Sequence, residues 1–396
     1  MITYSLYIHY PFCVRRCPYC GFATQVDRRN QAEHYRRALI TELRRRLTEE
    51  PWRGGEVASI YFGGGTPSLM PPEFCSSLLQ FVNSSLHQFQ NRRTDKLTNQ
   101  NSKFRNPKSE IEITLEANPT TRDAKNFRAF HESGVNRLSI GAQSFQPGEL
   151  KLLGRWHSPD DVADTVRLAR EAGFDNVSLD LIYGVPGQTV ESFASSVRRA
   201  LALGIEHLST YTLSIEEGTP FATRVKEGRL PVPSSDLAAD QYASLIEIMR
   251  DAGYEHYELT NYAQPDKWSR HNFAYWERIP YLGVGLGAHS FDGRRRFWNT
   301  RELGSYLSLL DGGQYPVDGE EILDERQILQ EQVYLDLRTR SGIGRETAQA
   351  VFNRQEMGRM LERGILEERG ERIHIANRHW LLLDEIVINL LQSGRD

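Results

Sequence analysis

Six short apolar runs, each followed by an amphipathic stretch, set the rhythm of the first half of the chain. The runs Ser5 to Pro11, Val57 to Phe62, Glu110 to Leu115, Arg137 to Gly141, Asn176 to Ile182 and His207 to Leu213 have the length and makeup of strands. Between them a helical period predicts helices over about 30–49, 72–87, 122–133, 159–172 and 190–203. Pro71-Pro72-Glu73 and Ser158-Pro159-Asp160-Asp161 put proline and acid where a first turn wants them. Gly134 and Gly173 stand where helices end. Parallel strands need a crossover between them, so this alternation predicts a parallel α/β sheet. Strand count and period leave open a doubly wound sheet, a barrel or part of a barrel.

The rhythm breaks twice. Gln88 to Ser109 is rich in Asn, Gln, Arg and Lys and nearly free of aliphatics. Such a stretch buries too little surface to offset its ordering entropy, so 88–109 is expected to be a mobile surface insertion. After about residue 214 the β/α alternation stops. Glu216-Glu217-Gly218-Thr219-Pro220 is a turn, a helix follows over about 234–252, and Tyr254 to Leu259 reads as a strand. Asn261 to Phe297 is rich in glycine and aromatics. From about 320 the pattern is three helices and a hairpin, with Gly342-Ile343-Gly344 between the first two helices. Glu371 to Ile375 is one strand of that hairpin, and Trp380 to Leu383 is its expected partner. The division expected is 1–215, 216–319 and 320–396, the last resembling a winged helix.

Composition narrows the function. The chain has 396 residues, 25% charged and 39% hydrophobic, with a net charge of −4. That balance disfavours nucleic acid as a partner, and the last unit shows no Lys/Arg stripe that marks a recognition helix. No apolar run reaches transmembrane length, and the N-terminus lacks the pattern of a secretory signal. Cytoplasmic location is expected; peripheral contact with a membrane stays open.

Three of the four cysteines change the picture. Cys13, Cys17 and Cys20 are spaced C-x3-C-x2-C just after the first strand. They do not read as a disulfide framework. Three thiolates at this spacing can converge on one four-iron cluster and leave its fourth iron open. Cys75 lies in a predicted helix and is read as a small hydrophobe.

Further candidates stand at the ends of the later strands. Phe62-Gly63-Gly64-Gly65-Thr66-Pro67 follows the second strand; its glycines allow close approach and expose N–H groups. Glu116 ends the third strand, and suits a sugar hydroxyl or an ammonium, or a plain surface role. Gln143 ends the fourth. Arg155 follows it; its planar fork matches a carboxylate, and a surface ion pair is the alternative. Asp180 lies inside the apolar fifth strand, where a charge is costly unless it is paired or faces a polar cavity. His271, in His271-Asn272-Phe273-Ala274-Tyr275-Trp276, is either a ligand or a hydrogen-bonded loop histidine near an aromatic cluster. His9 and Tyr211 have packing roles as alternatives to site roles.

The cysteine motif resembles the signature of the radical S-adenosylmethionine (SAM) enzymes. With YIHYPFC, FGGGTP, LEANP, IGAQSF, DLIYGVPGQT, HNFAYW and YLGVGLGAHS in order, the chain resembles the HemN/HemW family over nearly its whole length outside 88–109. The resemblance implies a (β/α)6 partial TIM barrel with a mainly helical, winged-helix-like C-terminal domain. It implies a [4Fe-4S] cluster on Cys13, Cys17 and Cys20 with SAM on its open iron. Tyr7, Gly64, Gly65, Thr66, Glu116, Gln143, Arg155 and Asp180 match SAM-binding positions, and the HNxxYW motif is linked to heme, through His271.

One position divides the family. The coproporphyrinogen III dehydrogenases carry a fourth cysteine where this chain has Phe22. The chain therefore sides with the heme chaperones. The implied partners are heme, acceptor hemoproteins and a low-potential electron donor such as flavodoxin or ferredoxin. The alternatives are the dehydrogenase, or another radical SAM enzyme acting on a tetrapyrrole, and a nucleic-acid-binding regulator. Whether SAM is cleaved, and so whether the protein is an enzyme, stays open.

Overall fold

The computed structural model describes residues 2–26, 29–90, 111–232 and 234–391. Apart from residues 88–90, the 88–109 insertion lies outside the described residues. Each apolar run of the first half forms a strand: β1 (Thr3–Tyr10), β2 (Glu56–Gly64), β3 (Glu112–Ala117), β4 (Arg137–Gln143), β5 (Val177–Tyr183) and β6 (His207–Thr212). They lie side by side in chain order, and every neighbouring pair is parallel. Helices Ala32–Thr48, Pro72–Gln90, Pro159–Glu171 and Val190–Ala202 lie in the crossovers. Ser158 and Thr189 each close a capping box at a helix start. This is the expected β/α part-barrel.

The predicted 122–133 helix is split into Thr121–Ala124 and Phe127–Glu132. The two pieces are held by different things. Asp123 accepts hydrogen bonds from Ser68 Oγ at 2.6 Å, Thr120 Oγ1 at 2.9 Å and the Asn118 amide at 3.0 Å, which ties the first piece to the strand-end loops. Phe127 and Phe130 anchor the second in the apolar core.

The sheet extends on both sides. Beyond β6 come β7 (Glu255–Glu258) and β8 (Asn261–Ala263), with β8 antiparallel to β6. Beyond β1 comes β9 (Tyr281–Val284), parallel to it, then β10 (His289–Phe291), β11 (Arg295–Asn299) and β12 (Val317–Ile322), all antiparallel. The result is one 12-stranded sheet, ordered β12-β11-β10-β9-β1-β2-β3-β4-β5-β6-β8-β7.

Its two faces differ in chemistry. Leu6, Ile60, Phe62, Leu115, Leu138, Leu179 and Leu208 are buried in one core with Leu39 and Leu43, Leu78 and Leu79, Val162 and Val166, and Phe193 and Val197 of the crossover helices. The other face is polar. Ser59 bonds Ser5, Tyr61 bonds Glu116, Ser139 bonds Asp180, and Ser178 bonds His207, each pair bridging two strands. A closed β/α barrel is filled by layers of branched apolar side chains. Here the inner face is built of hydroxyls, carboxylates and imidazoles, so it suits a polar ligand.

The C-terminal part has its own apolar core, including Val333, Leu337, Ile343, Ile373, Trp380 and Leu390. Helices Glu325–Arg338, Arg345–Val351 and Arg354–Glu362 precede the hairpin, as expected. The hairpin itself corrects the expectation. Arg372–Ile375 pairs with Leu366–Arg369 and with Ile343–Gly344, not with Trp380 to Leu383. Residues Asn377–Leu382 form a 3-10 turn that runs into helix Leu383–Leu391. Trp380, Leu383, Ile386, Val387 and Leu390 are the buried positions there. Steps of three and four residues are a helical stripe, which two-residue alternation cannot match. The Trp380 indole N–H donates to Leu337 O at 3.1 Å and locks the stripe inward.

Candidate functional site

The cysteine loop starts and returns at the top of β1. Phe12–Cys13 pairs in parallel with Gln25–Val26, and the Gln25 amide donates to Pro11 O at 2.8 Å. His9 pins the return: its Nε2 lies 2.9 Å from Ala23 O. A carbonyl only accepts, so Nε2 carries the proton and Nδ1 accepts from the Tyr7 hydroxyl at 3.1 Å. Burial lowers the His9 pKa to about 4 and keeps the ring neutral. His9 is thus a buried, doubly bonded histidine that shapes the loop.

Cys13, Cys17 and Cys20 are partly buried and unbonded to one another, while Cys75 is fully buried. Two of the three sulfurs receive hydrogen bonds: Thr66 Oγ1 donates to Cys13 Sγ at 3.5 Å, and Arg155 donates to Cys17 Sγ at 3.4 Å. Asn118 joins these donors. Its Nδ2 donates to Thr66 Oγ1 at 3.0 Å, and its Oδ1 accepts from Arg155 at 2.7 Å. A continuous arc Cys13–Thr66–Asn118–Arg155–Cys17 therefore braces the loop from the strand ends. Burial pushes the Cys13 thiol up to about 11 and raises Cys20 as well. Thiols in this setting stay protonated until a metal centre supplies the opposing charge. Among the described residues no three His, Cys, Asp or Glu side chains close on a single metal-ion position. Donors aimed at sulfur fit an electron-rich cluster, whose ligands sit on separate corners.

The glycine triplet is threaded beneath this loop. A Cβ on Gly64 would fall 2.4 Å from the His9 ring, and one on Gly65 would fall 2.5 Å from the Pro11 backbone. Gly64 also has a φ of 110°, open to glycine and strained for other residues. The expectation of exposed N–H groups does not hold. The Gly64 amide donates to Glu116 at 3.1 Å, Gly65 to Tyr10 O at 2.8 Å and Thr66 to Phe12 O at 3.0 Å. Those donors hold the turn in place, which leaves carbonyls for a ligand, while the Thr66 hydroxyl is engaged by Cys13 and Asn118.

Glu116 and Asp180 face the same interior. Glu116 accepts from the Tyr61 hydroxyl at 2.9 Å as well as from Gly64. Burial raises its pKa to about 7, against the pull of the Tyr61 bond and with help from the Asp180 charge. Asp180 is raised to about 6, again chiefly by burial, although Ser139 donates to it at 3.1 Å. Gln143 sits at a break in register between β4 and β5 and has a φ of 65°. A non-glycine residue held in the left-handed region at a strand end marks a place where side-chain aim outweighs backbone ease. Arg155 completes the rim, donating to Gly141 O at 2.7 Å, to Asn118 and to Cys17. Burial opposes its charge, but the Tyr19 hydroxyl and the Cys17 sulfur outweigh that and raise its pKa. Gly64, Gly65, Thr66, Gln143 and Arg155 thus stand at the strand ends on the side of the cysteine loop, while Tyr7, Glu116 and Asp180 line the polar face of the same sheet.

His271 lies elsewhere. Helix Arg270–Trp276 begins on the Glu112 carboxylate, which accepts from the amides of Arg270 at 3.1 Å and His271 at 3.0 Å. Glu112 is the first residue of β3, so this helix sits at the strand starts, opposite the cysteines. The imidazole is 1% exposed, with Nδ1 at 2.9 Å from Ser59 Oγ and Nε2 at 2.9 Å from the Tyr275 hydroxyl.

A family model described as the radical SAM superfamily matches residues 7–200. The heme chaperone HemW of Bacillus subtilis is 32% identical over 393 residues, which cover 96% of this chain and 97% of that one. The chain belongs to the HemN/HemW family of radical SAM proteins. The heme chaperone HemW of Mycobacterium tuberculosis is 33% identical, covering 98% of this chain and 95% of its own. In fold, the chain is similar to the coproporphyrinogen III oxidase HemN of Escherichia coli, a radical SAM enzyme. The TM-score is 0.79 at 23% identity, covering 99% of this chain and 90% of that one. Radical SAM membership implies an iron–sulfur cluster and SAM. Among the described residues no helix is long and apolar enough to cross a membrane.

Sequence reasoning missed several residues of this interior. Asn118 stands in the LEANP motif, where nothing local marks it for a role. Tyr61, Ser139 and Arg137 were passed over, though Arg137 is 1% exposed. Its Nε has no hydrogen-bond partner among the described residues. A signal was present: Ser59, Tyr61, then Glu112, Thr114, Glu116, then Arg137, Ser139, then Ser178, Asp180 repeat at every second position. That is the period of one strand face.

Proposed function

We propose that this protein is a radical SAM heme chaperone: it holds a [4Fe-4S] cluster and SAM at the strand ends, binds heme, and passes heme to hemoproteins. The observation that carries this reading is full-length similarity to proteins named heme chaperone HemW, combined with a cysteine motif that has Phe22 in place of a fourth cysteine. In this reading Cys13, Cys17 and Cys20 ligate the cluster, which when bound supplies one-electron chemistry. Arg155 receives the SAM carboxylate. Tyr7, Gly64, Gly65, Thr66, Glu116, Gln143 and Asp180 hold the amino, ribose and adenine parts. Arg15 and Arg16 are exposed on the cysteine loop and face an incoming electron donor such as flavodoxin or ferredoxin. The 320–396 unit serves as a packing module, supported by the buried Glu258–Arg338 ion pair of 3.0 Å that ties it to β7.

The test is anaerobic cluster reconstitution followed, on one sample, by heme titration and a coproporphyrinogen III assay. The expected result is saturable heme binding without porphyrinogen conversion. Turnover of coproporphyrinogen III would move the protein to the dehydrogenase side of the family.

The two raised carboxyls give a pH prediction with a definite sign. A SAM ammonium or ribose is held better by an ionised carboxylate. With Glu116 near 7 and Asp180 near 6, SAM affinity should rise about tenfold between pH 6 and 8. Protein without SAM should behave oppositely. Both pKa values lie above those of the unfolded chain, so the folded state binds more protons there. Its stability is fullest below the unfolded values and declines as pH rises through 6 to 7. Calorimetric SAM titrations and denaturant midpoints across this range check both arms; Glu116→Gln should flatten each.

A further inference from the structure

The HNxxYW helix carries His271 to the floor of the polar interior, and the surroundings of that imidazole define what it does. Its ring centroid lies 4.9 Å from that of Tyr61, inclined by 32°. Tyr61 in turn stacks on Tyr7 at 6.2 Å, and the Tyr61 hydroxyl donates to Glu116 at 2.9 Å. From below, Ser59 engages Nδ1 at 2.9 Å and itself bonds Ser5 at 2.9 Å. The Tyr275 hydroxyl takes Nε2 at 2.9 Å. Both nitrogens are therefore in use, whichever tautomer is present. The helix is held to the strand starts by Glu112, and its outer side is covered by an aromatic cluster of Tyr257, Phe273, Trp268 and Trp276. An iron ligand needs a free ring nitrogen and room for a macrocycle beside it. His271 has neither in this arrangement.

We propose that His271 is a positioning residue of the SAM pocket: it sets the Tyr61 ring, and through the Tyr61 hydroxyl it aims the Glu116 carboxylate. This rests on the reading above that Glu116 contacts SAM. The groups facing His271 are Tyr7 on β1, Ser59 and Tyr61 on β2, Glu112 on β3, Arg137 on β4 and Tyr275 on its own helix. Burial, with a further push from the Arg137 charge, lowers the imidazole pKa to about 3, so it stays neutral and fixed through the working pH range. A neutral ring held on both sides is a rigid seat for an aromatic neighbour.

The experiment measures SAM and heme affinity separately on cluster-loaded protein. His271→Ala and Tyr61→Phe should each weaken SAM binding about tenfold, the size of one well-placed hydrogen bond lost. The double variant should be no weaker than either single one, because both break the same link. A residue that only stabilised the fold would weaken SAM additively with Tyr61→Phe, and that outcome overturns the proposal. Tyr275→Phe frees Nε2 without removing the imidazole. The proposal expects its heme titration and Soret band to match those of the parent protein. A tighter heme complex in Tyr275→Phe, or loss of heme in His271→Ala with SAM affinity intact, overturns it in favour of an iron ligand. Glu116→Gln separates this proposal from the reading beneath it. If SAM affinity is indifferent to Glu116, the pocket assignment fails and the inference fails with it. If Glu116→Gln weakens SAM but His271→Ala does not, only the inference fails.

Discussion

Replacing any one of Cys13, Cys17 or Cys20 by serine should abolish the cluster, and with it SAM binding, while the fold survives. The three sulfurs lie on a loop whose shape does not depend on them. The Gln25–Pro11 and His9–Ala23 bonds close it at its base, and Thr66 and Arg155 approach it from other strands. A serine hydroxyl accepts the same hydrogen bonds, so thermal unfolding of the apo-protein should move little. A hydroxyl is a poor ligand for iron beside a thiolate, and a cube held by two cysteines has lost one of its three protein ligands. Iron and sulfide content and the visible charge-transfer band after anaerobic reconstitution check this. Cys75→Ser is the control. That thiol is fully buried among apolar neighbours, so its loss costs packing and leaves iron content unchanged. A full cluster in any single variant of the triad would falsify the assignment.

Arg155→Met carries the second large effect, and on two readouts at once. The guanidinium donates to Gly141 O, to Asn118 Oδ1 and to Cys17 Sγ. Methionine fills similar space but leaves those acceptors without a donor. Leaving a buried acceptor without its donor costs about 1–3 kcal/mol, so the denaturant midpoint should fall clearly. Affinity for SAM should fall about tenfold to a hundredfold, the value of a charge-assisted hydrogen bond to the carboxylate. Arg155→Lys should recover little of either. An ammonium reaches one acceptor where the planar fork reaches several. Retention of SAM affinity in Arg155→Met would remove the carboxylate role.

Much of this protein could be read along the chain because its fold repeats one local unit. Every strand of the part-barrel appears as an apolar run, since one face of each strand must meet the crossover helices. The cysteine triad and the strand-end motifs were also visible, because a β/α fold brings strand ends together whatever lies between them. The misreadings have physical causes. Trp380 to Leu383 looked like a hairpin partner because four large residues in a row carry no period; only the continuing buried positions Ile386, Val387 and Leu390 reveal the helix. The 122–133 helix breaks because Asp123 is held by Ser68, distant in sequence, as well as by the nearby Asn118 amide. The glycine turn keeps its amides for its own strands, which composition does not reveal.

The sequence by itself determined the α/β class, the run of six strands along the first half, the cysteine triad and the family, all of which follow from local periodicity or from short motifs. Only the tertiary structure decided the aim of the side chains. It joined Thr66, Asn118 and Arg155 into a brace between two cysteines, and it placed Gln143 in a strained conformation at a register break. It set Glu116 and Asp180 in a shared low-dielectric interior that lifts both pKa values. It also seated the helix of His271 at the strand starts, opposite the cysteines, with the imidazole against Tyr61 on the polar face. Each of these depends on distances between residues tens to hundreds of positions apart. Burial and hydrogen-bond geometry act through such distances, and no local pattern in the chain encodes them.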